Sequence, residues 1–193
     1  MRSRLRLAFA LIALVCACHG GARPTTSPAP SAGEAPPASD ARVVIFVIDG
    51  PRWSETFGDS LHAHIPGMWN QLRPQGTLCT NFRNEGLTLT NPGHGTILTG
   101  VWQHIDNHGK QRPLEPTLFE YYRKARNAAP DDAVIISVKD KLAALAYGLD
   151  PDYGAAYGAS TDLGQTSDVE TYAHLIDHLD HDSPHLVMAS FSQ

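Results

Sequence analysis

The run Val43-Val44-Ile45-Phe46-Val47-Ile48 limits what this chain can fold into more than any other stretch. It is continuous, apolar and rich in β-branched residues, without the in-and-out alternation of a strand that has one wet face. Such a run is buried on both faces, as in a parallel sheet whose crossover helices lie on either side. It stops at Asp49-Gly50-Pro51, a turn sequence. Ala133 to Val138 (AVIISV) repeats the pattern, and His185 to Phe191 reads as a further strand. A weaker strand is expected over Thr77 to Phe82, after the Pro74-Gln75-Gly76 break. Helices are expected at Pro92 to Thr99, at Thr117 to Arg126 behind Pro116, and at Asp168 to Leu179. In the last of these, Val169, Tyr172, Ile176 and Leu179 recur at helical spacing and mark the face expected to be buried. The alternation predicts an α/β fold: a doubly wound, mostly parallel sheet with helices on both faces and ligands outside the carboxyl ends of the strands.

The stretch before this domain has a different character. Arg2, Arg4 and Arg6 precede the apolar run Leu7 to Val15, which is too short for a permanent membrane span and reads as an export signal over residues 1–18. It ends Val15-Cys16-Ala17-Cys18, where the small residue before Cys18 makes that cysteine the expected site of lipid attachment; ordinary signal cleavage nearby is the alternative. Residues 19–41 are dominated by Pro, Ala, Ser, Gly and Thr, a composition that cannot bury enough surface to offset its ordering entropy and so reads as a flexible tether. Together they predict an exported protein of the bacterial envelope or periplasm, held to a membrane by a lipid anchor. Loss of residues 1–17 removes three arginines and no acid, so the formal charge moves from −5 to −8. That excludes a general nucleic-acid binder, whose affinity rests on neutralising phosphates. With Cys18 lipidated, Cys79 is the cysteine left in the domain, which leaves no intrachain disulfide and no cysteine-based metal cluster.

Two blocks carry chemistry. Thr90-Asn91-Pro92-Gly93-His94-Gly95-Thr96 places a hydroxyl where a helix begins, and a helix N-terminus offers free N–H groups and a positive dipole end to an anion. Thr90 either caps that helix or turns its oxygen outward as a nucleophile. His94, in the first turn, is a candidate substrate contact, with packing as the alternative reading. Asp49, at the carboxyl end of the first strand, faces the same crevice; alone it would be an ordinary turn residue before Gly50.

Read together, Val43 to Trp53 (VVIFVIDGPRW) and Thr88 to Gly109 (TLTNPGHGTILTGVWQHIDNHG) resemble the alkaline phosphatase superfamily. The resemblance is to its branch of type I phosphodiesterases, nucleotide pyrophosphatases and phosphate-irrepressible alkaline phosphatases. It implies that Asp49 is a metal ligand and that Thr90 is both metal ligand and nucleophile, in a complete enzyme that holds two Zn2+. Attack by Thr90 on a small phosphorylated substrate would give a phosphothreonine, which water then hydrolyses. Ser137-Val138-Lys139-Asp140-Lys141 looks like the S-x-K-x-R segment of the phosphate-irrepressible enzymes, so Lys139 and Lys141 are expected to contact phosphoryl oxygens and to favour monoesters over diesters. Lys141 stands where the family has an arginine, exchanging a bidentate fork for a point charge. Sulfatases share the register but need Cys or Ser where Thr90 stands and an arginine where His94 stands.

The sequence departs from that family in two places. The expected asparagine after the pair matching His108-Gly109 is missing; Gln111 is a possible substitute and Asn107 precedes the pair instead. The later Asp- and His-bearing segments that complete the bimetal centre do not appear before Ser190-Phe191-Ser192-Gln193, so residues 42–193 are expected to be the front part of the fold. A catalytic zinc takes about three protein ligands, which Asp49 and Thr90 do not reach. His174 and His178 are spaced i, i+4, but they lie opposite the apolar stripe, among Asp177 and Asp180, and read as a solvated polar face. Two functions follow as expectations: a metal-dependent phosphoric-ester hydrolase, or an envelope lipoprotein that keeps the front half of the fold without catalysis.

Overall fold

The computed structural model describes residues 41–192, so Cys18, the export signal and most of the tether lie outside the described residues. Four strands, β1 (Val43–Ile48), β2 (Ala133–Ser137), β3 (Ser160–Leu163) and β4 (Leu186–Phe191), form one sheet in the order β1-β4-β2-β3, with every neighbouring pair parallel. The helices are α1 (Thr90–Thr99), α2 (Leu118–Arg126) and α3 (Asp168–Asp177). Among the described residues no helix is long and apolar enough to cross a membrane, and Cys79 is free and exposed.

Strand alternation divides the core in two. Ala133, Ile135, Leu186 and Met188 meet Leu98 of α1, Phe119 of α2, and Leu142 and Leu145 of the turn after β2. Val134, Ile136, Val187 and Ala189 point the other way and meet Leu175 of α3. Helices therefore cover both faces, as expected of a doubly wound α/β sheet. The register pairs Val47 with Ser190 and Ser137 with Ser190, so the ends of β1, β4 and β2 lie side by side. The ladder runs on past β1, where Asp49 N–H donates to Phe191 O at 2.9 Å.

Four local expectations are corrected. β1 is not buried on both faces: it lies at the edge of the sheet with only β4 beside it, and Phe46 and Ile48 are each 50% exposed. Residues 77–82 are irregular chain instead of a strand; Phe82 is exposed, and among the described residues no segment pairs with 77–82 as a strand. β3 was not expected, because Ser-Thr-Asp-Leu has no apolar run; as an edge strand it needs only Leu163 against the core. The face of α3 is also different. Thr171 and Leu175 are buried, whereas Val169 is 77% exposed and Tyr172 57%. Polar anchors set that rotation: Ser167 caps the helix by accepting from Glu170 N–H, Asp168 accepts from Ser192 N–H, and His174 and His178 both reach Asp162 of β3. Thr171 and Leu175 are then left toward the sheet, and the Val169–Tyr172–Ile176 stripe lies on the flank away from β3.

Candidate active site

Asp49 follows β1, Lys139 and Lys141 follow β2, and Thr90 opens α1. Parallel strands deliver their ends to one edge, so residues far apart in sequence meet there. Lys139 Nζ lies 2.6 Å from Asp49 Oδ2. The hydrogen bond from Lys139 holds the Asp49 carboxyl below its ordinary range, against an opposing contribution from burial, with further help from the charges of Lys139 and Lys141. The turn that carries Lys139 is fixed by Ser137, whose hydroxyl donates to Ser190 O at 3.2 Å and accepts from Lys139 N–H at 3.1 Å.

Lys141 is held from the other side. Its Nζ donates to Asn107 Oδ1 at 3.3 Å, and the same oxygen accepts from Asn91 N–H at 3.0 Å. Asn91 Nδ2 in turn donates to Lys141 O at 2.9 Å. Gly109 lies against this residue: φ is +75°, and an added Cβ would stand 2.7 Å from Lys141 Cα. The His108-Gly109 pair thus matters as close backbone approach that seats a lysine. The amide that reaches this site is Asn107, while Gln111 accepts from Asp106 N–H and braces its own loop. The sequence does not single out Asn91, whose Oδ1 is buried without a partner among the described residues.

The start of α1 differs from the anion cradle that its sequence implies. Helix starts carry four N–H groups without intrahelical partners. Here Pro92 has none and Asn91 N–H goes to Asn107, while Gly93 N–H makes the first ordinary i→i−4 bond of the helix, to Leu89 O at 2.8 Å. Among the described residues the N–H groups of Leu89 and Thr90 are the two left over, and the positive charge at this end comes from the two lysines. The Thr90 side chain does not cap the helix: it is the first helical residue after Leu89, and among the described residues no hydrogen bond takes its hydroxyl. His94 is 6% exposed. Its Nδ1 bonds Thr90 O at 2.8 Å and its Nε2 bonds the Ser190 hydroxyl at 3.0 Å. A carbonyl only accepts, so Nδ1 carries the proton and Nε2 accepts from Ser190. Burial depresses the pKa of this ring, which keeps it neutral near pH 7, although its bond to Thr90 O works in the opposite direction. Both ring nitrogens are occupied by protein groups, so His94 fastens α1 to β4 and offers no free nitrogen to a substrate.

The donor set does not fit a zinc ion by itself. Asp49 and Thr90 supply two oxygens, about one fewer than a single catalytic zinc needs, and the Asp49 carboxylate already holds the Lys139 ammonium. Among the described residues no group of three or more His, Cys, Asp or Glu is arranged to hold a metal. The histidines of α3 do not make up the difference. His174 and His178 bond Asp162 Oδ2 at 2.8 and 3.1 Å, on β3, at the opposite edge of the sheet from β1. His174, Asp177 and Asp180 lie on an exposed face, as the solvated reading has it, while His178 is half-buried against β3.

No protein-family model, curated protein or solved structure matches this chain.

Proposed function

We propose that this chain carries the nucleophile and oxyanion-binding side of a phosphoric-ester hydrolase. One observation bears most of the weight: Lys139, from the segment after β2 that also carries Lys141, touches Asp49 after β1, and the helix that Thr90 opens is tied to the same end of the sheet by Asn91 on Lys141 O and His94 on Ser190. Two ammonium groups suit a dianionic monoester better than a monoanionic diester. Thr90 Oγ would attack phosphorus as the P–O bond to the leaving alcohol breaks, the Thr90 hydroxyl proton ending on the departing oxygen, and water would then cleave the phosphothreonine, returning a proton to Thr90 and releasing inorganic phosphate. Lys139 and Lys141 would hold the non-bridging oxygens while charge shifts toward the leaving group. In the superfamily that the sequence resembles, zinc activates the nucleophile; here that chemistry requires donors outside the described residues, and no step is assigned to it. His94 is not the base, because its Nε2 is bonded to Ser190.

The assay is hydrolysis of an aryl phosphate and a bis-aryl phosphate with zinc present, by the chain and by Thr90→Ala. Faster monoester turnover that vanishes in the variant supports the proposal, whereas an equal or faster diester would sink the monoester preference. A second reading, an envelope lipoprotein without catalysis, is favoured by the Lys139–Asp49 pair and the short donor set; absence of turnover in either substrate would establish it. Export and lipidation at Cys18 form part of both readings. They are checked by partition of the expressed protein into detergent and its loss in Cys18→Ser.

A further inference from the structure

Lys139 and Asp49 are each other's partners, although the resemblance would give one to a phosphoryl oxygen and the other to a metal. The pair is asymmetric. The Lys139 side chain is 19% exposed and the Asp49 side chain 56%. Packing anchors the lysine, and the carboxylate is the wet, replaceable partner. An ion pair with one open side is weak, because water competes for it. Lys141 contributes a second ammonium whose contact is the neutral amide oxygen of Asn107; among the described residues no carboxylate is paired with it. The neutral His94 ring lies near both lysines.

We infer that Asp49 is an internal counter-anion that competes with phosphate for Lys139, so that this site binds the phosphate oxyanion without a divalent metal and binds it more tightly once the Asp49 charge is removed. The inference rests on the reading of Lys139 and Lys141 as the phosphoryl contacts. An arriving phosphate exchanges one carboxylate contact for two oxygens, one to each lysine, and releases the Asp49 carboxylate to water.

The test is titration of inorganic phosphate into the EDTA-treated full chain at low ionic strength, followed by calorimetry or by 31P line broadening. Saturable binding is expected without metal. Asp49→Asn should lower the phosphate Kd by about fivefold, the upper range for losing one competing partly exposed ion pair. Lys139→Met should weaken binding and cancel the gain from Asp49→Asn in the double variant, while Lys141→Met should weaken binding on its own. Far-UV circular dichroism checks that the variants remain folded. Binding that appears only after zinc is added, or an Asp49→Asn variant that binds no better, would overturn the inference while leaving the hydrolase proposal standing. Failure to bind phosphate with and without zinc would overturn the phosphoryl reading and this inference together.

Discussion

Replacing His94 with alanine separates a packing role from a substrate role. The ring is 6% exposed and bonds Thr90 O and the Ser190 hydroxyl. Truncation leaves the Ser190 hydroxyl without its acceptor inside a residue that is 0% exposed. An orphaned buried hydroxyl costs about 1–3 kcal/mol, and the lost contacts and cavity add to that, for a total of about 3–4 kcal/mol. Against a domain stability of roughly 5–15 kcal/mol this is a large fraction. With a urea m-value of about 2 kcal/mol/M, the unfolding midpoint should fall by roughly 1.5–2 M. Adding Ser190→Ala to the variant removes the orphaned group and should restore about 1 kcal/mol, because deleting both partners costs less than deleting one. The assay is urea unfolding followed by tryptophan fluorescence, alongside phosphate titration. A His94→Ala variant as stable as the parent that no longer binds phosphate would refute the packing role and return the ring to the substrate.

Other expectations follow from the same geometry. The depressed pKa of His94 means that the unfolded chain takes up its proton first as pH falls, so this residue stabilises fully above about pH 6.5 and the contribution is lost on acidification below that value. Urea midpoints at pH 7.5 and 5.5 should differ, and the difference should shrink in His94→Ala. Burial and the hydrogen bond to Asp132 raise the Tyr122 hydroxyl pKa, so its stabilisation holds below about pH 10 and is lost above it; Tyr122→Phe should flatten the alkaline limb of the unfolding curve. Glu120 is fully buried and accepts from Thr117 N–H and hydroxyl, Gly148 N–H and Gly154 N–H, so Glu120→Ala should cost about 3–5 kcal/mol in urea unfolding. Gly109→Ala forces a Cβ onto Lys141 at a positive φ. It should weaken phosphate binding in calorimetry with a stability loss of about 1–3 kcal/mol.

The sheet was legible wherever both faces of a strand are apolar. β1, β2 and β4 announce themselves that way; β3 is an edge strand as β1 is, but only its Leu163 packs against the core, so Ser-Thr-Asp-Leu carries no apolar run. The α3 stripe misled because helical periodicity reports apolar residues, and the helix is oriented by Ser167, Asp168, His174 and His178, whose partners lie elsewhere in the chain. In the site, strand ends were enough to predict that Asp49 and Lys139 share a crevice. The partners that modify them were not legible. Asn107 reaches Lys141 and Asn91 through the path of a loop, and Ser190 reaches His94 across the sheet edge, both contacts that no local spacing encodes. Backbone accounting at α1 likewise needed the structure: the sequence implies a helix start with free N–H groups, and Asn107, from a loop further along the chain, takes that of Asn91.

The central claim is that Thr90 attacks phosphorus. It is tested most directly by mixing the full chain with an aryl phosphate and zinc, quenching in acid during turnover and locating phosphate by peptide mass spectrometry. The proposal predicts phosphate on the peptide that carries Thr90, at that residue, and none in Thr90→Ala. Turnover without phosphorylated Thr90, turnover that survives Thr90→Ala, or no turnover at all would contradict it.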